Sequence, residues 1–193
     1  MTRALCCALL GLWGCLPPPE PPGLEPPRGS SPVPVRGLAV EGAALSSACK
    51  KTGVERCFNA TDDDCNGLVD EGCGLPDGDV ALLAAWEDNP AALDWILYLP
   101  GGKKLDKASK RSGSFRYVKD CPEACFGQNV EAIVASEGAP AHGIYRAELR
   151  LKTAVGAELP VRVRLALRFG TRVESVELTF DLDHEMHVVR FEL

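Results

Sequence analysis

The acidic stretch Asp62–Cys73 has residue types and spacing that suit the binding of a hard cation. Its first, third and fifth residues are Asp62, Asp64 and Asn66, and Gly67 follows them. In calcium-binding loops, oxygen ligands at these alternate positions converge on the ion, and a glycine at the sixth position allows a sharp turn. The stretch is therefore predicted to bind calcium.

The remaining oxygen ligands must come from the second half of the stretch. The carbonyl of Leu68 occupies the seventh position, but Cys73 stands where an EF-hand loop has a bidentate glutamate. We expect the carboxylates of Asp70 and Glu71 to complete the coordination shell. The alternative is an ordinary acidic turn without an ion, because Asp, Asn and Gly are common turn residues. Repulsion among the crowded carboxylates favours a divalent ion, and hard oxygen ligands favour calcium over zinc or copper.

The chain has nine cysteines, and their positions predict disulfide bonds in an exported protein. Cys6 and Cys7 lie in the predicted leader, and Cys15 is a candidate for lipid attachment. The remaining six are an even number in an exported chain, which predicts three disulfides among Cys49, Cys57, Cys65, Cys73, Cys121 and Cys125.

Several disulfide pairings are compatible with this spacing. A Cys57–Cys65 bond would close the entry of the acidic loop and a Cys49–Cys73 bond would close the whole module, but fifteen pairings are possible. Three residues separate Cys121 from Cys125, where redox-active pairs have two. This last pair is therefore predicted to be a small structural disulfide.

The first fourteen residues have the pattern of an export signal. Arg3 supplies a positive region, and the apolar run Ala4–Trp13 is too short to span a bilayer as a helix. The sequence Leu-Trp-Gly-Cys that ends at Cys15 resembles the bacterial lipobox, in which the cysteine receives a diacylglyceryl group. The resemblance implies a lipoprotein with its signal at 1–14, held at the membrane by the lipid on Cys15. It places the protein in the cell envelope, at the outer membrane. A secretory signal cut elsewhere is the alternative.

A proline-rich segment follows the predicted lipidation site. Residues 16–36 contain nine of the fifteen prolines. Such a run favours extended polyproline II over helix or sheet. Residues 15–44 are accordingly predicted to be a lipidated N-terminus and a disordered linker that holds the folded part away from the membrane.

The residues that follow the linker resemble the MopE-type metal-binding motif of bacterial surface proteins. That motif has a cysteine, an Asp-rich run, Cys-Asp/Asn-Gly, two further residues and Asp-Glu, and the stretch Cys57–Cys73 matches it. The resemblance implies metal binding outside the cytoplasm and does not imply an enzyme. We expect a disulfide-rich, metal-binding module at residues 45–75, called the knot below, which is too small for a hydrophobic core of its own. The resemblance assigns the metal to Asp62, Asp64, Asn66 and Asp70.

From residue 76 to the C-terminus, apolar and polar residues alternate with a period of two. Val161, Val163 and Leu165, for example, alternate with arginines, which predicts one buried face and one solvated face. Eight strands are predicted, at 79–86, 93–99, 114–119, 129–135, 144–153, 160–169, 172–182 and 186–193. Short strands separated by turns predict an antiparallel β-sandwich at 76–193. The chain is therefore expected to be mainly β.

The sandwich region weakly resembles the YfaP-type β-rich domain of bacterial periplasmic and surface proteins. Leu93–Pro100 is similar to the first signature of that family, and Gly138–Tyr145 is similar to its Gly-x-Pro-x-x-Gly-x-Tyr turn. Ile96 stands where the family has a histidine. The resemblance therefore implies the fold, with Asp94 as a remnant of the family's polar site.

Two further charged segments could bind a ligand. Residues 101–120 carry seven basic and two acidic residues, which suits either a solvated loop or a contact for anionic lipid headgroups or an acidic polysaccharide. The segment Asp181–His187 has a His-Glu-x-His spacing one residue short of a zincin motif, and it lies among strand-forming residues where a zincin needs a helix. A hairpin connection is the preferred interpretation.

Taken with a formal net charge of −6, these patterns argue against a nucleic-acid partner. They predict a non-catalytic surface or periplasmic lipoprotein with a structural calcium loop and a β-sandwich that binds or scaffolds something outside the membrane. One alternative is a polysaccharide-binding module that acts through the basic residues 103–119. Another is an accessory protein of a metal-dependent hydrolase that uses the Asp181–His187 cluster. No protein partner is predicted.

Overall fold

The computed structural model describes residues 33–193 except 48, 50, 88, 123, 124, 126, 127, 154 and 155. The predicted export signal, Cys15 and the proline-rich linker up to residue 32 lie outside the described residues. Within those residues the chain is all-β. None of them forms a helix that is long and apolar enough to cross a membrane.

The described strands form two antiparallel sheets. The strands are β1 Arg36–Val40, β2 Ser46–Ser47, β3 Val80–Trp86, β4 Ala92–Tyr98, β5 Lys104–Leu105, β6 Arg111–Ser112, β7 Phe115–Lys119, β8 Val130–Ala135, β9 Ile144–Thr153, β10 Val161–Phe169, β11 Arg172–Phe180 and β12 Met186–Glu192. The five-stranded sheet has the order β1-β12-β9-β4-β5, and the seven-stranded sheet has the order β2-β11-β10-β3-β8-β7-β6. Strands β3, β4 and β7 to β12 match the predicted eight closely, and the predicted sandwich is confirmed.

The inner faces of the two sheets enclose the main hydrophobic core. In β10, Val161, Val163 and Leu165 are at most 2% exposed, whereas Arg162 and Arg164 lie on the opposite face of the strand. Each such aliphatic side chain contributes about 1.5–3 kcal/mol when it is buried. Strand β10 pairs with both β11 and β3, so it lies inside the sheet. The predicted alternation is confirmed here.

Strands β3 and β8 are buried on both faces. Their outer-face residues, such as Leu83 and Ala132, form a second, smaller apolar cluster with Ala60 and Val69 of the knot. Small side chains on this face allow the knot backbone to approach closely. The knot therefore packs on the outer face of the seven-stranded sheet.

The sandwich includes residues that the sequence analysis placed in the linker. Strand β1 pairs with β12 at one edge of the five-stranded sheet, and Val40 is buried in the main core. Leu38 packs against the same core, whereas its neighbours Gly37 and Ala39 are exposed, as expected when successive side chains of a strand point to opposite faces. The predicted linker range 15–44 thus contains a strand, and the folded part begins earlier than expected.

Candidate metal centre

Two interleaved disulfides close the knot. Cys49 bonds Cys65 and Cys57 bonds Cys73, with Cα–Cα distances of 5.1 and 5.3 Å. The pairing considered from the sequence, Cys57–Cys65 with Cys49–Cys73, is therefore wrong. A parallel bridge between Cys49 and Asp62 brings the start of the knot beside the acidic loop, which places Cys49 next to Cys65.

The third disulfide follows the prediction. Cys121 and Cys125 are bonded, with a Cα–Cα distance of 5.9 Å. Cys121 is fully buried, and its backbone N–H donates to Glu131 Oε1 at 2.6 Å. This disulfide shapes the connection between β7 and β8, far along the chain from the knot.

Three carboxylates of the knot converge closely enough to share an ion. One oxygen each from Glu55, Asp62 and Asp64 lies within 4.8 Å of the others. Asp62 and Asp64 were predicted as ligands, but Glu55 was not, because it precedes the acidic stretch. The structure brings Glu55 to the loop by hydrogen bonds: its two carboxylate oxygens accept the backbone N–H groups of Asp63 at 3.0 Å and Asp70 at 2.8 Å.

The loop between Asp62 and Gly67 has the tight turn that the spacing predicts. Asp62 accepts the backbone N–H groups of Asn66 at 3.1 Å and Gly67 at 2.9 Å, and Asp64 accepts the same Asn66 N–H at 3.0 Å. Gly67 has φ +85°, and a Cβ there would stand 3.0 Å from the carbonyl oxygen of Thr171. Glycine is needed both for the backbone conformation and for the close approach to the β10–β11 turn.

The second half of the loop folds back onto the first. The side-chain amide of Asn66 donates to Asp64 Oδ2 at 3.0 Å and to Glu71 Oε1 at 2.6 Å, and Asn66 Oδ1 accepts the Leu68 N–H at 2.8 Å. The other Glu71 oxygen, Oε2, is buried and has no hydrogen-bond partner among the described residues. A buried carboxylate oxygen without a donor is costly unless a cation approaches it. Glu71 is not part of the Glu55, Asp62 and Asp64 group, so ligation of the ion by Glu71 stays a prediction. Coordination by the Leu68 carbonyl stays a prediction.

Asp70 has a supporting role in the knot. Its carboxylate is fully buried and accepts the backbone N–H groups of Asn59 at 3.1 Å and Ala60 at 3.2 Å. It is not part of the Glu55, Asp62 and Asp64 group. The Asp70 oxygens therefore fix residues 59 and 60, and ligation of the ion by Asp70 stays a prediction.

Burial disfavours the charged form of several acids in the knot. It raises the pKa of Glu55 to about 7, and the nearby charges of Glu71 and Asp63 add to the effect. Burial also raises the pKa of Asp70 to about 6 and that of Asp62, although backbone N–H donors oppose both shifts. Loss of hydration favours the neutral form of a carboxyl group, whereas a bound cation favours the charged form.

The knot's carboxylates form no ion pair with a basic side chain among the described residues. Among the described lysines, arginines and histidines, none forms an ion pair with Glu55, Asp62, Asp64, Asp70 or Glu71. Arg168 lies buried beside Asp70, where its positive charge is attracted by Asp77, Asp79 and Glu71, and its guanidinium donates to the Gly78 carbonyl. The converging carboxylates of Glu55, Asp62 and Asp64 thus have no ion-pair partner in the described part of the chain.

A second acidic group lies between the sheets, and unlike the knot it has lysines as ion-pair partners. Asp94, Asp120 and Glu131 also converge within 4.8 Å. Lys107 pairs with Asp94 at 2.9 Å, and Lys152 and Lys110 approach Asp94 and Asp120 at 3.9 Å. The positive charges of these lysines offset the negative charges of the group without a bound ion. Asp94, predicted as a remnant of a polar site, is therefore part of an ion-pair network.

Glu131 is the most deeply buried acid of this second group. It accepts a hydrogen bond from the Tyr117 hydroxyl, and that hydroxyl accepts the Trp95 backbone N–H at 3.2 Å. Burial raises the pKa of Glu131 to about 8, despite the hydrogen bonds from Tyr117 and Cys121 that oppose the shift.

The two other charged segments have structural partners. Lys104, Lys110 and Arg116 in the basic segment form ion pairs with Asp106, Asp120 and Glu137, which lowers the charge available for an anionic partner. In the Asp181–His187 segment, His184 Nδ1 lies 3.0 Å from Asp181 Oδ1, and His187 Nε2 lies 3.0 Å from the Thr179 carbonyl oxygen. The segment connects β11 to β12, as predicted. It forms none of the possible metal groups found among the described residues.

Comparison with known proteins identifies no relative of this chain. The similarities to the MopE-type motif and the YfaP-type domain stay predictions. No family model, curated protein or solved structure matches the chain.

Proposed function

We propose that this protein is a non-catalytic surface lipoprotein in which a calcium-binding knot stabilises one face of a β-sandwich that binds or scaffolds a partner outside the membrane. The observation that carries the proposal is the convergence of Glu55, Asp62 and Asp64, which form no ion pair with any basic residue that the structure describes. The lipid on Cys15 and the proline-rich linker would hold the folded part near the outer membrane.

The ligand chemistry favours calcium. Every candidate donor is an oxygen, and Glu71 Oε2 adds a buried carboxylate oxygen beside Asn66 and Asp64. The four knot cysteines are in disulfides, so they offer no thiolate to zinc. Calcium accepts six to eight oxygen ligands in flexible geometry, which suits carboxylates from separate turns of a small loop.

The ion would have a structural role. The knot is too small to bury a core of its own, and it depends on its disulfides and on the outer face of the sheet. The Gly67 turn touches the Thr171 backbone, and Thr61 accepts a hydrogen bond from Arg164 of β10 at 3.0 Å. An ion between Glu55 and the acidic loop would fix the segments that make these contacts.

Calorimetric titration of calcium into the secreted form, with Cys15→Ser, tests the proposal. We expect one saturable site in the parent protein and no measurable heat with Asp64→Ala. Asp183→Ala is the matched control, because Asp183 is exposed in the β11–β12 connection and outside the knot. Calcium binding that survives Asp64→Ala, or a parent protein that binds no calcium, would contradict the proposed role of the knot.

A further inference from the structure

A groove lies beside the contact between the knot and the outer face of the seven-stranded sheet. Its volume is about 540 Å³, within the ~300–1,000 Å³ typical of small-molecule sites. The knot contributes one side of the groove, and the ends of β3, β10 and β11 contribute the other. The lining includes Phe58, Asn59, Glu87, Arg162, Arg164 and Thr179.

The two arginines of the groove differ in their bonding. Arg164 is occupied, because its guanidinium contacts Glu177 at 2.7 Å and Thr61 Oγ1 at 3.0 Å. Arg162 lies two residues earlier on the same face of β10 and is exposed. The described part of the chain gives the Arg162 guanidinium no ion pair or hydrogen bond. It is therefore available to an anionic group in the groove.

The groove also offers acceptors and an aromatic ring. Glu87 is exposed at the end of β3, and Glu177 and Thr179 lie on the outer face of β11. Carboxylates in this position repel a polyanion such as a polyphosphate, but they accept hydrogen bonds from hydroxyl groups. A ligand that suits this lining has many hydroxyls and few negative charges.

Phe58 is held at the groove by the knot. Its φ is +65°, a conformation that is unfavourable for a bulky side chain and that tends to persist at functional sites. The adjacent Cys57–Cys73 disulfide and the hydrogen bond from the Asn59 N–H to Asp70 fix this conformation. The position of the ring thus depends on the same loop that carries the candidate calcium ligands, and also on Lys119, whose ammonium lies 5.4 Å from the ring centroid.

We propose that this groove binds a short acidic glycan through a uronate carboxylate. The carboxylate pairs with the Arg162 guanidinium, whose planar fork matches its geometry. The sugar hydroxyls donate to the exposed Glu87 carboxylate, and an apolar sugar face packs on the side of the Phe58 ring that lines the groove. This inference rests on the proposed function, since the calcium-bound knot supplies the side of the groove that carries Phe58.

Titrations with two trisaccharides that carry a single uronate each, glucuronosyl-xylobiose and glucuronosyl-cellobiose, in calcium, test the inference. We expect the parent protein to bind at least one of them saturably and its methyl ester at least tenfold more weakly. Arg162→Gln should weaken binding of the acid at least tenfold, since it removes one charged hydrogen-bond pair. Arg111→Gln is the matched control, because Arg111 is an exposed arginine on β6, outside the groove, and it should bind like the parent.

Three outcomes would overturn the inference: no saturable binding of either uronate, equal affinity in Arg162→Gln and the parent, or equal binding of triglutamate, which would make the ligand an acidic peptide. Calcium titration of the same variants separates the two proposals. Arg162→Gln should bind calcium like the parent. Loss of glycan binding with calcium binding intact supports the groove assignment, whereas glycan binding by a parent protein that binds no calcium would refute the calcium knot alone.

Discussion

Removal of one knot disulfide should weaken calcium binding. In the double variant Cys57→Ser/Cys73→Ser, a bond that spans 16 residues is lost. Closure of a loop of that length lowers the entropy of the unfolded chain enough to contribute about 3 kcal/mol. The carboxylates of the knot form no ion pair within the described residues, so we expect the knot without its ion to be marginally stable. Part of the free energy of calcium binding would then be used to order the knot.

The expected change follows from this value. About 3 kcal/mol corresponds to roughly a 100-fold weaker calcium affinity, and calorimetry in the Cys15→Ser background measures it. The control is Cys121→Ser/Cys125→Ser, which opens a disulfide of separation 4 outside the knot and should leave calcium affinity within a few-fold of the parent. Equal affinities for the parent and the knot variant would refute the idea that the disulfides and the ion stabilise the same unit.

Three further predictions address the knot contact, the buried acid and the anchor. Gly67→Ala should destabilise the protein by about 1–3 kcal/mol, measured by urea unfolding, because φ is +85° and the new Cβ meets the Thr171 backbone; a loss below 0.5 kcal/mol would contradict the tight contact. Between about pH 5 and 8 the folded protein keeps Glu131 protonated while the unfolded chain releases that proton, so stability should fall as pH rises through this window. Glu131→Gln, which leaves the facing Tyr117, Asp94, Asp120 and Lys107 in place, should reduce this loss of unfolding free energy by a few kcal/mol. Parallel pH profiles of stability for the parent and the variant would contradict the assignment. Cys15→Ser should move the protein from the membrane fraction to the soluble fraction on cell fractionation, and continued membrane association would exclude the lipid anchor.

The fold was largely predictable because its signal is local. Alternation of apolar and polar residues in β10 and β9 is a direct consequence of the strand geometry, and it located these strands closely. The short edge strand β1 was missed, because its five residues follow a proline-rich segment and only pairing with β12 makes them a strand. The packing of the knot on the sheet had a weaker signal, namely that β3 and β8 are apolar at nearly every position.

The site was predictable only where it is contiguous in sequence. The spacing of Asp62, Asp64 and Gly67 revealed the turn, since these residues lie within one loop. Glu55 was missed because its carboxylate reaches the loop through hydrogen bonds to Asp63 and Asp70, which depend on the folded chain. The disulfide pairing was missed for a similar reason, since equal spacing of the four cysteines does not distinguish nested from interleaved bonds.

Thermal unfolding with and without calcium tests the central claim most directly. A ligand at 100 times its Kd stabilises the folded state by about 2.7 kcal/mol, which for a domain of this size corresponds to a rise in Tm of roughly 5–10 °C. We predict such a rise in the Cys15→Ser protein between excess chelator and saturating calcium, together with one bound ion by native mass spectrometry. An unchanged Tm and a mass without calcium would contradict the claim that the knot is built around the ion.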